Sequence, residues 1–262
     1  MGYEFITYTK EGRLARITIN RPEVMNALHP PANQELSAAF DDFDADPECW
    51  VAILTGAGDK SFCAGADLKA IARRENIYHP EHGEWGFAGY VRHYIDKPTI
   101  AAVNGTALGG GTEIALASDL AVAAHSATFG LPEVKRGLIA AAGGVFRIVD
   151  QLPRKLALEL LMTGEPLPAT DACRWGLINQ VVDDGQVLEA ALALAARVTV
   201  NAPLSVQASK RIAYGVDEGV ITGDEPGWER TMREMRSLMR SEDAKEGPRA
   251  FAEKREPVWQ AR

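Results

Sequence analysis

Two apolar stretches, Trp50-Val51-Ala52-Ile53-Leu54 and Ile100-Ala101-Ala102-Val103, each lead into a loop of small residues and then into a helix-like segment. The first loop is Phe62-Cys63-Ala64-Gly65-Ala66-Asp67-Leu68, and the second is Leu108-Gly109-Gly110-Gly111. Glycine and alanine let a backbone N–H approach a ligand oxygen with no side chain in the way. Two such N–H groups, one from each loop, would hold a carbonyl oxygen as it gains negative charge. Glu113 and Glu133 follow the second loop and would supply the proton traffic. The combination is equipment for enolate chemistry on an acyl group.

Around these loops the pattern is α/β. Ala15, Ile17 and Ile19 alternate with polar neighbours, as in a half-buried strand. Pro30 and Pro31 open a helix whose apolar positions Ala32, Leu36, Ala39, Phe40 and Phe43 recur at helical spacing. Strand, strand, helix then recurs, with 99–103 and 120–124 as strands flanking a helix over 112–117. Beyond Pro153 the chain reads as helices over 154–163, 170–175, 186–198 and 203–214, with a short strand at 177–182. Residues 215–227 read as a loop. Trp228, Met232, Met235, Leu238 and Met239 then form a stripe at helical spacing, the ordinary pattern of core packing.

At 262 residues the chain can bury a sizeable core, and its net charge of −8 argues against a nucleic-acid-binding surface. Cys49, Cys63 and Cys173 are odd in number and show no CxxC spacing, so no disulfide framework is expected. The first residues lack the apolar core of a signal peptide, and no apolar run approaches the ~18 residues of a membrane span. A cytoplasmic, reduced protein with no membrane partner is the expectation.

Taken singly, the candidate residues stay ambiguous. A glycine triplet before a helix is also an ordinary tight turn. Glu113 is also a first-turn carboxylate that favours the helix dipole, and Glu133 after Pro132 is also a solvated loop residue. Gly56-Ala57-Gly58 begins a dinucleotide fingerprint, but Ser61 stands where the third glycine belongs. His79, Glu81, His82 and Glu84 carry metal-ligating types, yet Pro80 breaks any regular helical face between the histidines, and no metal is expected. Ser61 has no G-x-S-x-G setting for a serine hydrolase.

Longer motifs resolve the ambiguity. Asn20-Arg21-Pro22-Glu23-Val24-Met25-Asn26-Ala27-Leu28 resembles the first signature of the enoyl-CoA hydratase (crotonase) family. Matches follow in order: Thr55-Gly56 through Leu68, Asn104-Gly105 through Asp119, Phe129-Gly130-Leu131-Pro132-Glu133, then Gly137-Leu138-Ile139 with Gly143-Gly144. The resemblance implies the crotonase fold, repeated ββα units in a spiral over 1–197, with a C-terminal helical trimerisation region over 198–262. It implies an oxyanion hole from the N–H groups of Ala66 and Gly110, with Glu113 and Glu133 as the catalytic pair. The acyl-CoA thioester would run past Val24, Met25, Ala64, Asp67 and Leu68, with Lys69 a candidate phosphate contact. CoA belongs to the substrate, so no separate cofactor is expected.

A complete glutamate pair favours reversible syn addition of water to 2-trans-enoyl-CoA, giving 3-hydroxyacyl-CoA, in fatty-acid or other lipid metabolism. The C-terminal part, Ser241-Glu242-Asp243-Ala244 through Pro257-Val258-Trp259, is similar to the crotonobetainyl-CoA hydratase (carnitinyl-CoA dehydratase) branch. Tyr78, Trp85, Phe87, Tyr90 and Tyr94 form either a lid on the acyl tunnel or an aromatic cage for a quaternary ammonium, which would suit that branch. Against it, that branch carries Trp at the position of the small Ala66. A non-catalytic CoA-ester binder is the alternative of another class, and the intact pair Glu113 and Glu133 argues against it. The family also assembles as trimers or dimers of trimers, which gives the Met-rich stripe a second reading as subunit contact.

Overall fold

A computed structural model describes residues 2–73 and 75–262. The strands are β1 (Ile6–Glu11), β2 (Leu14–Ile19), β3 (Val51–Gly56), β4 (Ser61–Cys63), β5 (Thr99–Val103), β6 (Thr106–Leu108), β7 (Leu120–Ala124), β8 (Thr128–Gly130), β9 (Leu167–Pro168), β10 (Gln180–Val182), β11 (Val216–Asp217) and β12 (Val220–Ile221). The helices are α1 (Pro30–Ala45), α2 (Leu68–Ala72), α3 (Gly110–Ala117), α4 (Gly144–Gln151), α5 (Arg154–Thr163), α6 (Ala169–Arg174), α7 (Val187–Thr199), α8 (Pro203–Tyr214), α9 (Glu225–Leu238) and α10 (Glu242–Ala252).

Val, Ile and Ala fill β3, β5 and β7, which suits strands covered on both faces. They lie inside a six-stranded sheet of order β1-β2-β3-β5-β7-β10, parallel except for the β1–β2 hairpin. A four-stranded sheet of order β4-β6-β8-β9 runs beside it, parallel from β4 to β8. The chain therefore alternates between sheets, β3 to β4, β5 to β6 and β7 to β8. Each turn of this spiral stacks on the one before. Helix α1 buries Ala32, Leu36, Ala39, Phe40 and Phe43, the five positions read from spacing, and α7 covers the large sheet with Val187, Ala191 and Ala195.

The spiral matters because it aligns the segments that leave the small-sheet strands. Cys63 pairs with Ala107, Ala107 with Phe129, and Leu108 with Gly130. Three residues beyond Cys63 comes Ala66, and three beyond Ala107 comes Gly110. Glu133 opens the 3-10 turn Pro132–Arg136 just after β8. Sequence-distant residues thus meet at the same end of neighbouring parallel strands.

Three expectations need correction. Residues 215–227 are not one loop: β11 and β12 form a hairpin there, and α9 begins at Glu225. The strand expected at 177–182 is confined to Gln180–Val182, because the Leu177 N–H closes a turn onto Ala172 O and the chain first meets β7 at Asn179, whose N–H donates to Ala121 O. In the stripe on α9 only Trp228 is buried, while Met232 is 47% and Met239 50% exposed, so the stripe is not core packing within one chain. Among the described residues, no single helix is long and apolar enough to cross a membrane.

Candidate active site

Backbone contacts hold the two loops together. The loop after β4 is laced to the segment 20–28: the Ala64 N–H donates to Met25 O (3.0 Å), Leu28 N–H to Gly65 O (2.8 Å), and Asp67 N–H to Leu28 O (2.9 Å). Asn26 is fully buried and donates to Ser61 O across 2.7 Å, fixing that segment on β4. On its other side the loop presses on the start of α3. A Cβ on Gly65 would lie 2.9 Å from Gly110 N, and one on Gly111 would lie 1.9 Å from Cys63 O. Only glycine permits this approach, and Gly65 also needs its positive φ of 84°. Among the described residues, neither the Ala66 N–H nor the Gly110 N–H donates a hydrogen bond. Gly110 is the first residue of α3, where N–H groups have no intrahelical partner and the dipole is positive.

Glu113 sits in the first turn of α3, yet it is only 3% exposed, so it is no solvated helix-end carboxylate. Its Oε1 accepts the N–H of Gly144, the first residue of α4, across 2.9 Å. Burial raises its pKa above the carboxylate range, the nearby Glu133 raises it further, and the Gly144 N–H opposes both. Glu133 is likewise pushed up by burial. Its Oε1 lies against Gly109, where a Cβ would come within 3.0 Å, and its Oε2 is buried without a hydrogen-bond partner. Thr112 braces the arrangement: its hydroxyl accepts the Gly130 N–H (3.0 Å) and donates to Ala107 O (2.8 Å). The two carboxyls, the two free N–H groups and the glycine turns are therefore joined by one chain of close contacts.

The remaining candidates divide. Met25 and Leu68 expose large apolar side chains beside the loop, and Val24 and Ala64 are half-buried there. The Asp67 carboxylate is engaged within the chain, capping α2 through the Lys69 N–H (2.9 Å) and facing Arg21 at 3.3 Å. Lys69 is exposed. The Ser61 hydroxyl is held between the carbonyls of Met25 and Thr106, each at 2.9 Å, which is a structural post.

The five-membered aromatic cage does not form. Trp85 is stacked between the rings of His82 and His93, each 4.0 Å from it, and Tyr90 stacks on Phe40 in the core at 4.3 Å. The Tyr94 ring faces Lys210 at 5.4 Å. Only two of the five face the site. The Phe87 ring lies where a Cβ on Gly110 would come within 2.3 Å, and Tyr78 is near enough to Glu113 for that carboxylate to raise its phenol pKa, after burial. The segregation follows from His82 and His93, which occupy Trp85 by stacking on it, with His79 stacked in turn on His82. Sequence reasoning also passed over Arg147 and Asp224, which pair across 2.6 Å behind Glu113, because neither lies in a glycine-rich motif.

A family model described as enoyl-CoA hydratase/isomerase matches residues 9–262. A carnitinyl-CoA dehydratase from Citrobacter koseri is 42% identical over 99% of both chains. A solved structure of carnitinyl-CoA hydratase from Mycobacterium avium is 68% identical with a TM-score of 0.96, covering 98% of this chain and 99% of that one. EchA1_1 from Mycobacterium paratuberculosis is 72% identical, also with a TM-score of 0.96 and coverage of 98% and 99%. The spiral is thus a crotonase fold, and with agreement over this length the chain is an enzyme of the enoyl-CoA hydratase/isomerase family.

Proposed function

We propose that the protein reversibly adds water to 2-trans-enoyl-CoA esters, giving 3-hydroxyacyl-CoA. The observation that carries this reading is the buried carboxyl of Glu113 and the half-buried Glu133, whose Oε2 is buried without a partner, set beside two unpaired backbone N–H groups, those of Ala66 and Gly110. The thioester oxygen would accept both N–H groups, drawing electron density from C3 and stabilising the enolate that forms as water adds. Such donors act in a site that excludes water, and losing one costs about 3–4 kcal/mol of barrier. Glu113 is the base that deprotonates the attacking water, because the Gly144 N–H and the N-terminus of α4 favour its ionised form. Glu133 is the acid that protonates C2, because a buried oxygen without a partner favours a neutral carboxyl. Two carboxyls sharing one enclosure ionise in two separated steps, leaving one proton on the pair near neutral pH.

The CoA would pass over Met25 and Leu68, with backbone of Val24, Ala64 and Asp67 beside it. The exposed Met232 and Met239 on α9, with Val200 and Ile212 exposed by 81% and 82%, support assembly into trimers or dimers of trimers.

A second reading, hydration of crotonobetainyl-CoA, draws on the names of the relatives at 42% and 68% identity. Tyr78, near Glu113, and Phe87, against Gly110, would be the residues to receive its trimethylammonium group. A turnover screen of crotonyl-, decenoyl-, branched enoyl- and crotonobetainyl-CoA in D2O tests both. Deuterium at C2 of the hydrated product is expected. Binding of the esters without hydration of any of them would sink the hydratase reading.

A further inference from the structure

Arg147, on α4 just after the Gly143-Gly144 pair, is only 8% exposed. Asp224, which precedes α9, holds it from behind, accepting from Nε at 3.0 Å and from Nη2 at 2.6 Å. Phe146 and Trp228 lie 5.6 and 5.4 Å from the guanidinium carbon. The Arg147 backbone N–H donates to Gly143 O across 3.0 Å. The remaining nitrogen, Nη1, is buried and has no hydrogen-bond partner among the described residues. It lies 3.3 Å from where a Cβ on Gly143 would stand. Neither glycine has room for a side chain: one on Gly143 would come within 3.1 Å of Trp228, and one on Gly144 within 2.9 Å of Glu113 Oε1.

Burying a guanidinium costs several kcal/mol of hydration, and an apolar side chain would fill this space as well. The charge therefore needs a use beyond packing. We infer that Arg147, anchored by Asp224, is a positioning residue for hydration: it holds the Gly143-Gly144 turn against Glu113 and favours the ionised form of that carboxyl. The inference rests on Glu113 being the base. The field of Arg147 lowers the pKa of Glu113, against burial and Glu133, which raise it. Glu113 is otherwise faced by Tyr78 and the Gly144 N–H. Behind Arg147, a cavity of about 650 Å³ is lined by Arg92, Asp119, Asp150, Lys210 and Glu225 among others. There Lys210 pairs with Asp119 at 2.7 Å, and Arg92 with Glu225 at 3.6 Å.

The test uses the full chain and two readouts. Replacing Arg147→Gln together with Asp224→Asn removes both charges without stranding either one. Arg147→Lys keeps the charge. Infrared titration of the carboxyl band in substrate-free enzyme reports the ionisation of the Glu113 and Glu133 pair without needing turnover. In the double variant the midpoint should rise by about one pH unit. With crotonyl-CoA, kcat below neutrality should fall by about tenfold, the equivalent of one pH unit. KM should stay within about threefold, and much of the loss should be regained at alkaline pH. Arg147→Lys should return the midpoint close to that of the natural protein. A double variant that folds and keeps its carboxyl midpoint overturns the inference, whatever happens to kcat. Should it not fold, Arg147→Gln alone must shift the midpoint the same way or the inference falls. If the natural enzyme hydrates no ester, the proposed function fails, while the carboxyl midpoints still decide the role of Arg147.

Discussion

Gly109 and Glu133 meet between successive turns of the spiral, with Glu133 Oε1 3.0 Å from where a Cβ on Gly109 would stand. The contact joins the glycine loop after β6 to the acid after β8, although the two are separated in sequence by all of α3 and β7. It sets the Glu133 carboxyl, whose other oxygen, Oε2, is buried without a partner, against the residue that precedes the Gly110 N–H proposed to hold the thioester oxygen. The reaction space is therefore defined by backbone on one side and by carboxyls on the other.

Removing either carboxyl should separate binding from chemistry. Glu113→Gln and Glu133→Gln should each reduce hydration by at least ~100-fold, the scale of a lost general acid or base. Affinity for a saturated acyl-CoA should change little, since the N–H groups of Ala66 and Gly110 remain. Steady-state kinetics with calorimetric binding provides the check, and near-normal turnover in either variant would remove that residue from the mechanism.

The same burial carries a stability cost with a definite sign. Both carboxyls have folded-state pKa values raised above the ordinary range, so the folded protein holds protons that the unfolded chain has lost. Stability should then fall as pH rises from about 4.5 through the raised range in which the folded pair ionises, because burial holds both carboxyls protonated and each disfavours ionisation of the other. A glutamine does not titrate. Glu133→Gln should therefore gain stability relative to the natural protein as pH rises from 5 to 8, by about 1.4 kcal/mol for each unit by which folding raises the carboxyl. Thermal melts at the two pH values measure it; an advantage that shrinks with pH would contradict the sign.

The glycines of the second loop should tolerate nothing larger. In Gly111→Ala the new Cβ would stand 1.9 Å from the carbonyl oxygen of Cys63, which is backbone and cannot step aside cheaply. Overpacking of this kind costs about 1–3 kcal/mol. It would also prise α3 from the Ala66 loop, so turnover should drop by about 100-fold, as when an oxyanion donor is displaced. Gly83→Ala, with nothing within 4 Å of its Cβ, is the control and should be nearly silent.

Much of this site was legible because its parts carry sequence signals of their own. The strands leading into the loops are continuous apolar runs, and the helix over 30–45 shows its buried face in its spacing. The glycine loops and the two glutamates stand in recognisable motifs. The loop aromatics misled because sequence proximity does not fix direction: Trp85 is claimed by two imidazoles, while Phe87 lies against Gly110 and Tyr78 lies within reach of Glu113. The Met-rich stripe misled because spacing shows that a face is apolar, not what covers it. The pairing of Arg147 with Asp224 had no local signal, since it joins α4 to the residue before α9 across a long stretch of chain.

Assembly should depend on the uncovered face of α9. Met232 and Met239 are about half exposed in the single chain, against the 6% of Trp228. Met232→Glu with Met239→Glu should shift the protein from a multiple of three chains toward smaller species, read by sedimentation velocity. Trp228 packs on Phe146 at 5.0 Å and should stay in place, so the monomer fold should persist. A natural protein that sediments as an active monomer would remove the trimer.

Substrate choice rests on the space beside Ala66 and on two aromatics, Phe87 against Gly110 and Tyr78 near Glu113. Ala66→Trp leaves its N–H in place but adds a bulky ring next to Leu28, with which Ala66 forms a parallel bridge. For a general enoyl-CoA hydratase, crowding should lower turnover of crotonyl-CoA and of longer esters. For an enzyme tuned to crotonobetainyl-CoA, the natural protein should already prefer the betaine ester. A cation over an aromatic face gains about 0.5–2 kcal/mol, so the preference over a neutral isostere would be about three- to thirtyfold. Tyr78→Ala and Phe87→Ala should then abolish that preference. Trp85→Ala should spare it, because both faces of Trp85 are already stacked on histidines. The expected result is the first, broad hydration weakened by Ala66→Trp. A betaine preference beyond about tenfold that disappears in Tyr78→Ala would assign the enzyme to the other branch.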